Sequence, residues 1–152
     1  KRHVDLYLKS LSAESRSFFL LHCISQSIEM ARKEGIEIAL INAYWYKYMA
    51  AEIAYDGHFS SRVNLTSTLP VPDFVFSLKI SVETAALRKE NFSAFESGFP
   101  EEINAEAFSS FQIKVHKAYN QIMSNINHCE LNGELPLAEL KDQLVLELNK
   151  HL

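Results

Sequence analysis

The stretch that decides the fold is residues 36–56, IEIALINAYWYKYMAAEIAYD, which lies between Gly35 and Gly57. In its first twenty positions, sixteen side chains are apolar or aromatic. The polar exceptions are spread around the helical wheel: Glu37, Asn42, Lys47 and Glu52. A helix that is apolar on every side is normally surrounded by protein. The stretch therefore predicts a central helix over 36–56 that other helices enclose.

Apolar spacings of three and four residues predict further helices on both sides of this stretch. Before it, we expect a short helix from Val4 to Leu11, and a longer one that Ser12 caps and Gly35 ends. After it, we expect a helix that begins at Asp73 and continues to position 92 or 95.

Two more helices are expected in the C-terminal third. The first follows the break at 98–100, has Glu101 and Glu102 in its first turn, and carries the most regular apolar stripe of the chain. Pro136 opens the second, whose leucines line one face. The two stripes consist of Phe108, Phe111, Val115, Tyr119, Ile122 and Ile126, and of Leu137, Leu140, Leu144, Leu148 and Leu152.

Only four Gly and four Pro interrupt the 152 residues, which favours long helices over many short strands. Residues 58–72 lack a helical period, so we expect a long loop there, with a short extended piece at Val63 and Leu65. The sequence predicts an all-α single domain over 1–152, a bundle of about five to six helices that are mostly antiparallel. Because position 1 is Lys rather than Met, we expect a trimmed chain, which leaves a detached N-terminal part open.

The net charge of −4 is unevenly distributed along the chain. Residues 1–89 carry eleven basic and nine acidic side chains, whereas residues 90–147 carry three basic and ten acidic ones. This balance argues against nucleic-acid binding. The acidic half either keeps a helical surface solvated, which is the more frequent case, or meets a basic protein partner. Two cysteines predict a cytoplasmic, reducing setting, and charges interrupt every long apolar stretch, so no membrane span is expected.

Aromatic residues concentrate at positions 44–55, which contain the single Trp and four of the six Tyr. Such side chains dominate binding surfaces and line ligand pockets, so we expect a binding site here. A closed cavity beside these rings would favour a small-molecule sensor, and exposed rings would favour a protein interface. Rings that are simply packed and hydrogen-bonded would remove support from both. The predicted binding residues are Tyr44, Trp45, Lys47, Tyr48, Glu52 and Tyr55.

Two groups of residues resemble metal or acid–base sites. Glu52 and Asp56 share a helix face and precede His58, and the dipeptide His-Cys occurs at 22–23 and at 128–129. Diiron bundles use Glu-x-x-His, and structural zinc sites use Cys-x-x-Cys, and neither spacing occurs in the chain. We therefore predict neither a metal nor another cofactor.

Arg16 and His22 are separated by five residues, a spacing that resembles the Arg-x(4–6)-His signature of the HEPN ribonucleases, an all-α family of similar size. The polar residue that usually follows the Arg is Ser17 here. The resemblance covers seven residues and implies a pair that acts on the RNA 2′-hydroxyl across a dimer. In a continuous helix, a six-residue step would place the two side chains about 120° apart.

No glycine-rich phosphate loop and no Gly-x-Ser-x-Gly motif occurs in the chain. We therefore expect a non-enzymatic helical module that binds another protein, as a regulator, inhibitor or adaptor, and that forms a homodimer through its last two helices. The alternative is a small-molecule sensor domain with an aromatic pocket around helix 36–56. The third hypothesis is a HEPN-like ribonuclease.

Overall fold

The computed structural model describes residues 2–150, and this part of the chain is mostly helical. Two short strands form a small parallel sheet, and two 3₁₀ turns lie at Leu65–Thr68 and Phe95–Ser97. The helices are α1 (Arg2–Ser10), α2 (Ala13–Lys33), α3 (Trp45–Asp56), α4 (Phe59–Asn64), α5 (Val82–Leu87), α6 (Ala105–Met123) and α7 (Leu137–Leu148), and the strands are β1 (Phe76–Lys79) and β2 (Cys129–Asn132).

Helix α3 lies at the centre of the core, where it packs mainly against α2 and α6. Met49 and Ala50 of α3 have no exposed surface. The predicted stripe of α6 packs against them, since Phe111 and Val115 are both buried in the same cluster. Residues 45–56 thus form a helix that is largely buried, with Lys47 exposed and Tyr48 half-buried.

The prediction of one helix over 36–56 is wrong for its first half. Helix α2 ends at Lys33, and Gly35 has a φ of 69°. Residues 36–44 then form bends, and Ala43 has a φ of 57°, which no right-handed helix accommodates. Ile38 and Leu40 are 76% and 93% exposed, so this half lies on the surface. Helix propensity does not explain the difference, because the Trp and Tyr residues of α3 are no better helix formers than the isoleucines at 36, 38 and 41.

The long loop predicted at 58–72 is instead partly helical. Gly57, with a φ of 75°, ends α3 as predicted, and α4 begins two residues later. Val63 and Leu65, which were expected to be extended, lie in α4 and in the 3₁₀ turn. Arg62 of α4 forms an ion pair with Asp56 of α3. The hydrophobic pattern of the sequence does not predict this contact.

The helix predicted from Asp73 to 92 or 95 is also wrong. Strand β1 occupies its start, and α5 begins only after Ser81, whose hydroxyl accepts from the Thr84 N–H. Strand β1 pairs in parallel with β2, with Phe76 opposite Cys129 and Lys79 opposite Asn132. Four residues are too few to show a strand period. Residues 2–150 thus contain seven α-helices and a two-stranded sheet, where five to six helices and no sheet were predicted. The antiparallel arrangement stays a prediction.

The two C-terminal helices begin close to the predicted positions. Helix α6 begins after Asn104, whose side chain accepts from the Ala107 N–H, so Glu101 and Glu102 precede the helix instead of lying in its first turn. Helix α7 opens after Pro136 as predicted. Its leucines at 140, 144 and 148 are half-buried and α7 packs near β2, while Leu152 lies outside the described residues. Every helix within residues 2–150 is too short or too polar to cross a membrane.

Candidate binding site

The first rings of the aromatic cluster are packed and hydrogen-bonded. Tyr44 and Trp45 are buried, and Tyr46 lies between them, with its ring centroid 5.5 Å from that of Tyr44 and 4.4 Å from that of Trp45. The Tyr44 hydroxyl donates to the Pro70 carbonyl at 2.7 Å. Burial raises the pKa of Tyr44, so this hydroxyl stays a donor over the ordinary pH range. These rings fit the interpretation of a core helix.

Tyr55, at the other end of α3, is also held by the core. Its hydroxyl donates to the Phe95 carbonyl at 2.7 Å, and its ring lies 5.5 Å from Phe99 and 4.7 Å from Phe111. Burial, and secondly the charge of Glu52, raises the pKa of Tyr55. The ring therefore anchors the 3₁₀ turn at Phe95–Ser97 to α3.

Glu52 is fully buried and forms an ion pair with Arg16 of α2. The Arg16 Nε donates to both carboxylate oxygens, at 3.0 and 3.1 Å, and Nη2 lies 3.0 Å from Oε2. Burial raises the pKa of Glu52, and the hydrogen bond and charge of Arg16 offset part of that effect. This bidentate pair joins α2 to α3 inside the core.

The guanidinium of Arg16 has further partners inside the core. Its Nη1 donates to the Leu11 carbonyl at 2.7 Å, and its central carbon lies 4.6 Å from the Tyr55 ring centroid and 5.3 Å from that of Phe99. His22 is exposed, whereas Arg16 is 6% exposed. Arg16 is thus engaged inside the core while His22 is exposed, whereas the HEPN-like hypothesis expects both residues to line one groove.

The predicted Glu52, Asp56 and His58 cluster is not brought together as a metal site. Asp56 accepts from the backbone N–H of His58 at 3.0 Å and forms an ion pair with Arg62, which is 5% exposed. Both carboxylates on this face of α3 are thus paired with arginines. Among the described residues, no group of three or more His, Cys, Asp or Glu is arranged to hold a metal ion.

The remaining predicted binding residues, Lys47 and Tyr48, lie at the surface of α3. Lys47 is exposed. Burial acts to raise the pKa of Glu96, but hydrogen bonds from Lys89 and Ser93 lower it by more, and the charge of Lys47 adds a smaller lowering effect. Tyr48 is half-buried and lines a groove between α2 and the segment before α3. Of the six predicted binding residues, Tyr48 is the one that meets this groove.

We name this feature the α2 groove. It has a volume of about 630 Å³ and is partly open to solvent. One wall is a stripe of α2, and the other is the segment 36–43, which we name the exposed segment. Among the lining residues, Arg32 carries the one charge, and its ion pair with Glu29 at 3.0 Å is exposed. The stripe of α2 consists of Leu20, Cys23, Ile24, Ser27, Ile28 and Ala31.

The exposed segment is mostly apolar, and from residue 37 onward its backbone has no hydrogen-bond partner among residues 2–150. Leu40, Ile38, Ile36 and Ile41 are 93%, 76%, 48% and 44% exposed. An exposed apolar cluster of this kind is typical of an interaction site rather than of an ordinary surface.

A scan against protein-family models and a search of curated proteins each find no match for this chain. The site has therefore to be judged on its own geometry.

The residues of the α2 groove were missed because the segment 36–43 was assigned to the core. No local signal separates it from α3. In both halves, about half of the residues are strong helix formers and half are weak ones, because Ile, Trp and Tyr have similar propensities. Cys23 is exposed and lines this groove.

Proposed function

We propose that this protein is a non-enzymatic protein-binding module, and that its partner places an amphipathic helix in the α2 groove. The observation that carries the proposal is the exposure of the apolar residues of the exposed segment beside that groove. Monomeric proteins rarely leave such side chains together in water unless something covers them. The non-enzymatic part is supported by the engagement of Arg16 and Glu52 with each other inside the core.

The spacing of the α2 wall supports a helical occupant. Its lining residues recur every three or four positions from Leu20 to Ala31, which corresponds to about 17 Å of helix axis. A stripe of this kind packs against the i, i+3, i+4, i+7 face of another helix. The neighbouring wall adds Ile38 and Leu40, whose burial would contribute roughly 1.5–3 kcal/mol each.

The charge distribution supports a partner that is basic outside the contact itself. Residues 90–147 carry the acidic surplus, and the groove is lined by residues from the first third of the chain. The negative charge would therefore act on a partner at long range. Such a field accelerates association with a basic partner and makes the rate sensitive to salt. The apolar groove would supply affinity, and the acidic half would supply steering.

Site-specific photo-crosslinking tests this proposal. A photoreactive amino acid is placed at Leu40 in one variant and at Leu87, which is 86% exposed on α5, in a control variant. In cells of the native host, we expect Leu40 to capture a protein through an amphipathic helical peptide that Leu87 does not capture. Identical capture at both positions, or none at Leu40, would contradict the proposal.

A binding measurement on the captured protein completes the test. The double variant Ile38→Asp/Leu40→Asp should weaken its binding at least tenfold, since each 1.4 kcal/mol is a factor of ten. Leu87→Asp should leave the dissociation constant unchanged. Equal binding by all three chains would show that the groove is not the contact.

A small-molecule sensor is the second candidate, because the volume of the α2 groove falls within the 300–1,000 Å³ typical of ligand pockets. Tyr48 lines the groove, although the groove is open, whereas the sensor alternative expects a closed cavity beside several rings. Mass spectrometry of the intact chain, purified from its host under native conditions, separates the two candidates. A retained small molecule that Leu40→Asp releases would favour the sensor.

A further inference from the structure

The parallel sheet has an open edge on β1. Backbone bonds from the Cys129 N–H to the Val75 carbonyl at 2.9 Å, and from the Gly133 N–H to the Lys79 carbonyl at 2.8 Å, show which residues of β1 face β2. Because backbone groups alternate in direction along a strand, those of Phe76 and Leu78 face away from β2. They find no backbone hydrogen-bond partner among residues 2–150.

The outer edge of β2 differs from that of β1. Its Asn132 N–H donates to the Gln143 side chain of α7 at 3.1 Å, and α7 packs near this strand. No described helix or strand packs along β1 to a comparable extent apart from β2. Parallel sheets normally have more than two strands, and an unpaired edge is a template for another strand.

We propose that β1 pairs with β1 of a second copy of this chain, in antiparallel orientation, to form a continuous sheet in the order β2–β1–β1–β2. In this register Ser77 lies opposite Ser77 of the second copy. Phe76 of each copy then exchanges both its backbone hydrogen bonds with Leu78 of the other. The same patch serves both copies, as a two-fold dimer requires.

Charge at the two ends of the strand favours this orientation. Asp73 precedes β1, and the last residue of β1 is Lys79; both side chains are exposed. Antiparallel strands bring the acidic start of each copy near the basic end of the other, whereas parallel strands would bring like charges together. The present partner of Lys79, Glu130 at 3.2 Å, is exposed and holds it only weakly.

The side chains on the hydrogen-bonded positions are also complementary. Leu78 is 55% exposed although it lies on the same face as Leu131, which is 3% exposed. In the proposed register Leu78 meets the half-buried ring of Phe76 from the second copy. Cross-strand pairs of aromatic and aliphatic side chains stabilise antiparallel sheets. The dimer would cover Leu78 without using the α2 groove, so it is independent of the proposed function.

Sedimentation over a concentration series tests the dimer. We expect the wild-type chain to dimerise and Leu78→Lys to weaken the dimer roughly tenfold or more, because two buried leucines are lost per dimer. Leu87→Lys, on an exposed position of α5, should leave the association unchanged. A chain that stays monomeric up to its solubility limit would overturn the proposal, as would a dimer that Leu78→Lys does not weaken.

Disulfide cross-linking tests the register directly, in a chain that carries Cys23→Ser and Cys129→Ser. Hydrogen-bonded antiparallel pairs have Cα atoms about 5.5 Å apart, which a disulfide spans. Phe76→Cys combined with Leu78→Cys should therefore give a covalent dimer on mild oxidation. Leu78→Cys alone should not, since two copies of position 78 would be roughly 9 Å apart. Rapid cross-linking of the single variant, or none of the double variant, would refute the register.

Discussion

The two halves of residues 36–56 have similar apolar content and opposite positions in the molecule. Residues 45–56 form α3, in which Met49 and Glu52 have no exposed surface. Residues 36–44 form bends in which Leu40 is almost fully exposed. Apolar content alone therefore does not place a segment in the core. The difference lies in tertiary partners, since α3 has arginines for the buried Glu52 and the half-buried Asp56, whereas Glu37 of the exposed segment has no ion-pair partner among residues 2–150.

The largest expected difference between the halves is in the free energy of unfolding that is lost when one carboxylate is removed from each. Glu52→Ala should lower the free energy of unfolding by about 3–5 kcal/mol, because it leaves Arg16 charged and buried without its partner. Glu37→Ala, in the exposed segment, should change it by less than about 0.5 kcal/mol. Chemical denaturation of both variants measures this, and similar values for both would show that the two halves share one environment.

Truncation of one apolar side chain in each half sharpens the comparison. Met49→Ala should cost about 2–5 kcal/mol, since it opens a cavity in the packed core. Leu40→Ala should leave stability nearly unchanged and weaken partner binding instead. Thermal unfolding distinguishes these outcomes, and a marked loss of stability in Leu40→Ala would place the exposed segment inside the fold.

A smaller effect is expected for the hydroxyls of α3. Tyr55→Phe should cost about 1 kcal/mol, because the Phe95 carbonyl loses its donor. Tyr48→Phe, at the half-buried position on the groove, is the matched control and should have less effect. Urea denaturation is accurate enough for this pair, and equal losses would argue that Tyr48 is as well anchored as Tyr55.

The smallest expected effect is a dependence on pH. Burial raises the pKa of Glu52, so the folded chain holds that proton more tightly than the unfolded chain does. The resulting contribution is fully present below the ordinary pKa of Glu and is lost as pH rises through the raised pKa. Glu52→Gln should remove this part of the slope of stability against pH. An unchanged slope in the variant would show that Glu52 titrates normally.

Signals that act within one turn of helix were predicted well from the sequence. Ser12 caps α2, with its hydroxyl accepting from the Ser15 N–H at 3.2 Å, and Gly57 and Pro136 end α3 and open α7 where expected. The stripe of α6 was also found, because nineteen residues show the helical period many times.

Features that depend on distant residues were not predictable in this way. Arg16 and Glu52 are 36 positions apart, and strands β1 and β2 pair across α5 and α6. Of the predicted binding residues, Tyr44, Trp45, Glu52 and Tyr55 carry packing contacts that composition cannot separate from recognition. The positions of α2 and of residues 36–43 are needed to show that Tyr48 lines the α2 groove.

Residue-resolved hydrogen exchange of the free chain tests the central claim most directly, because it compares backbone amides in both halves under one condition. We predict rapid exchange for residues 37–43, whose amides lack partners among residues 2–150, and strong protection for residues 49–56 of α3. Equal, strong protection over both halves would mean that the exposed segment is part of one buried helix, and would contradict the account.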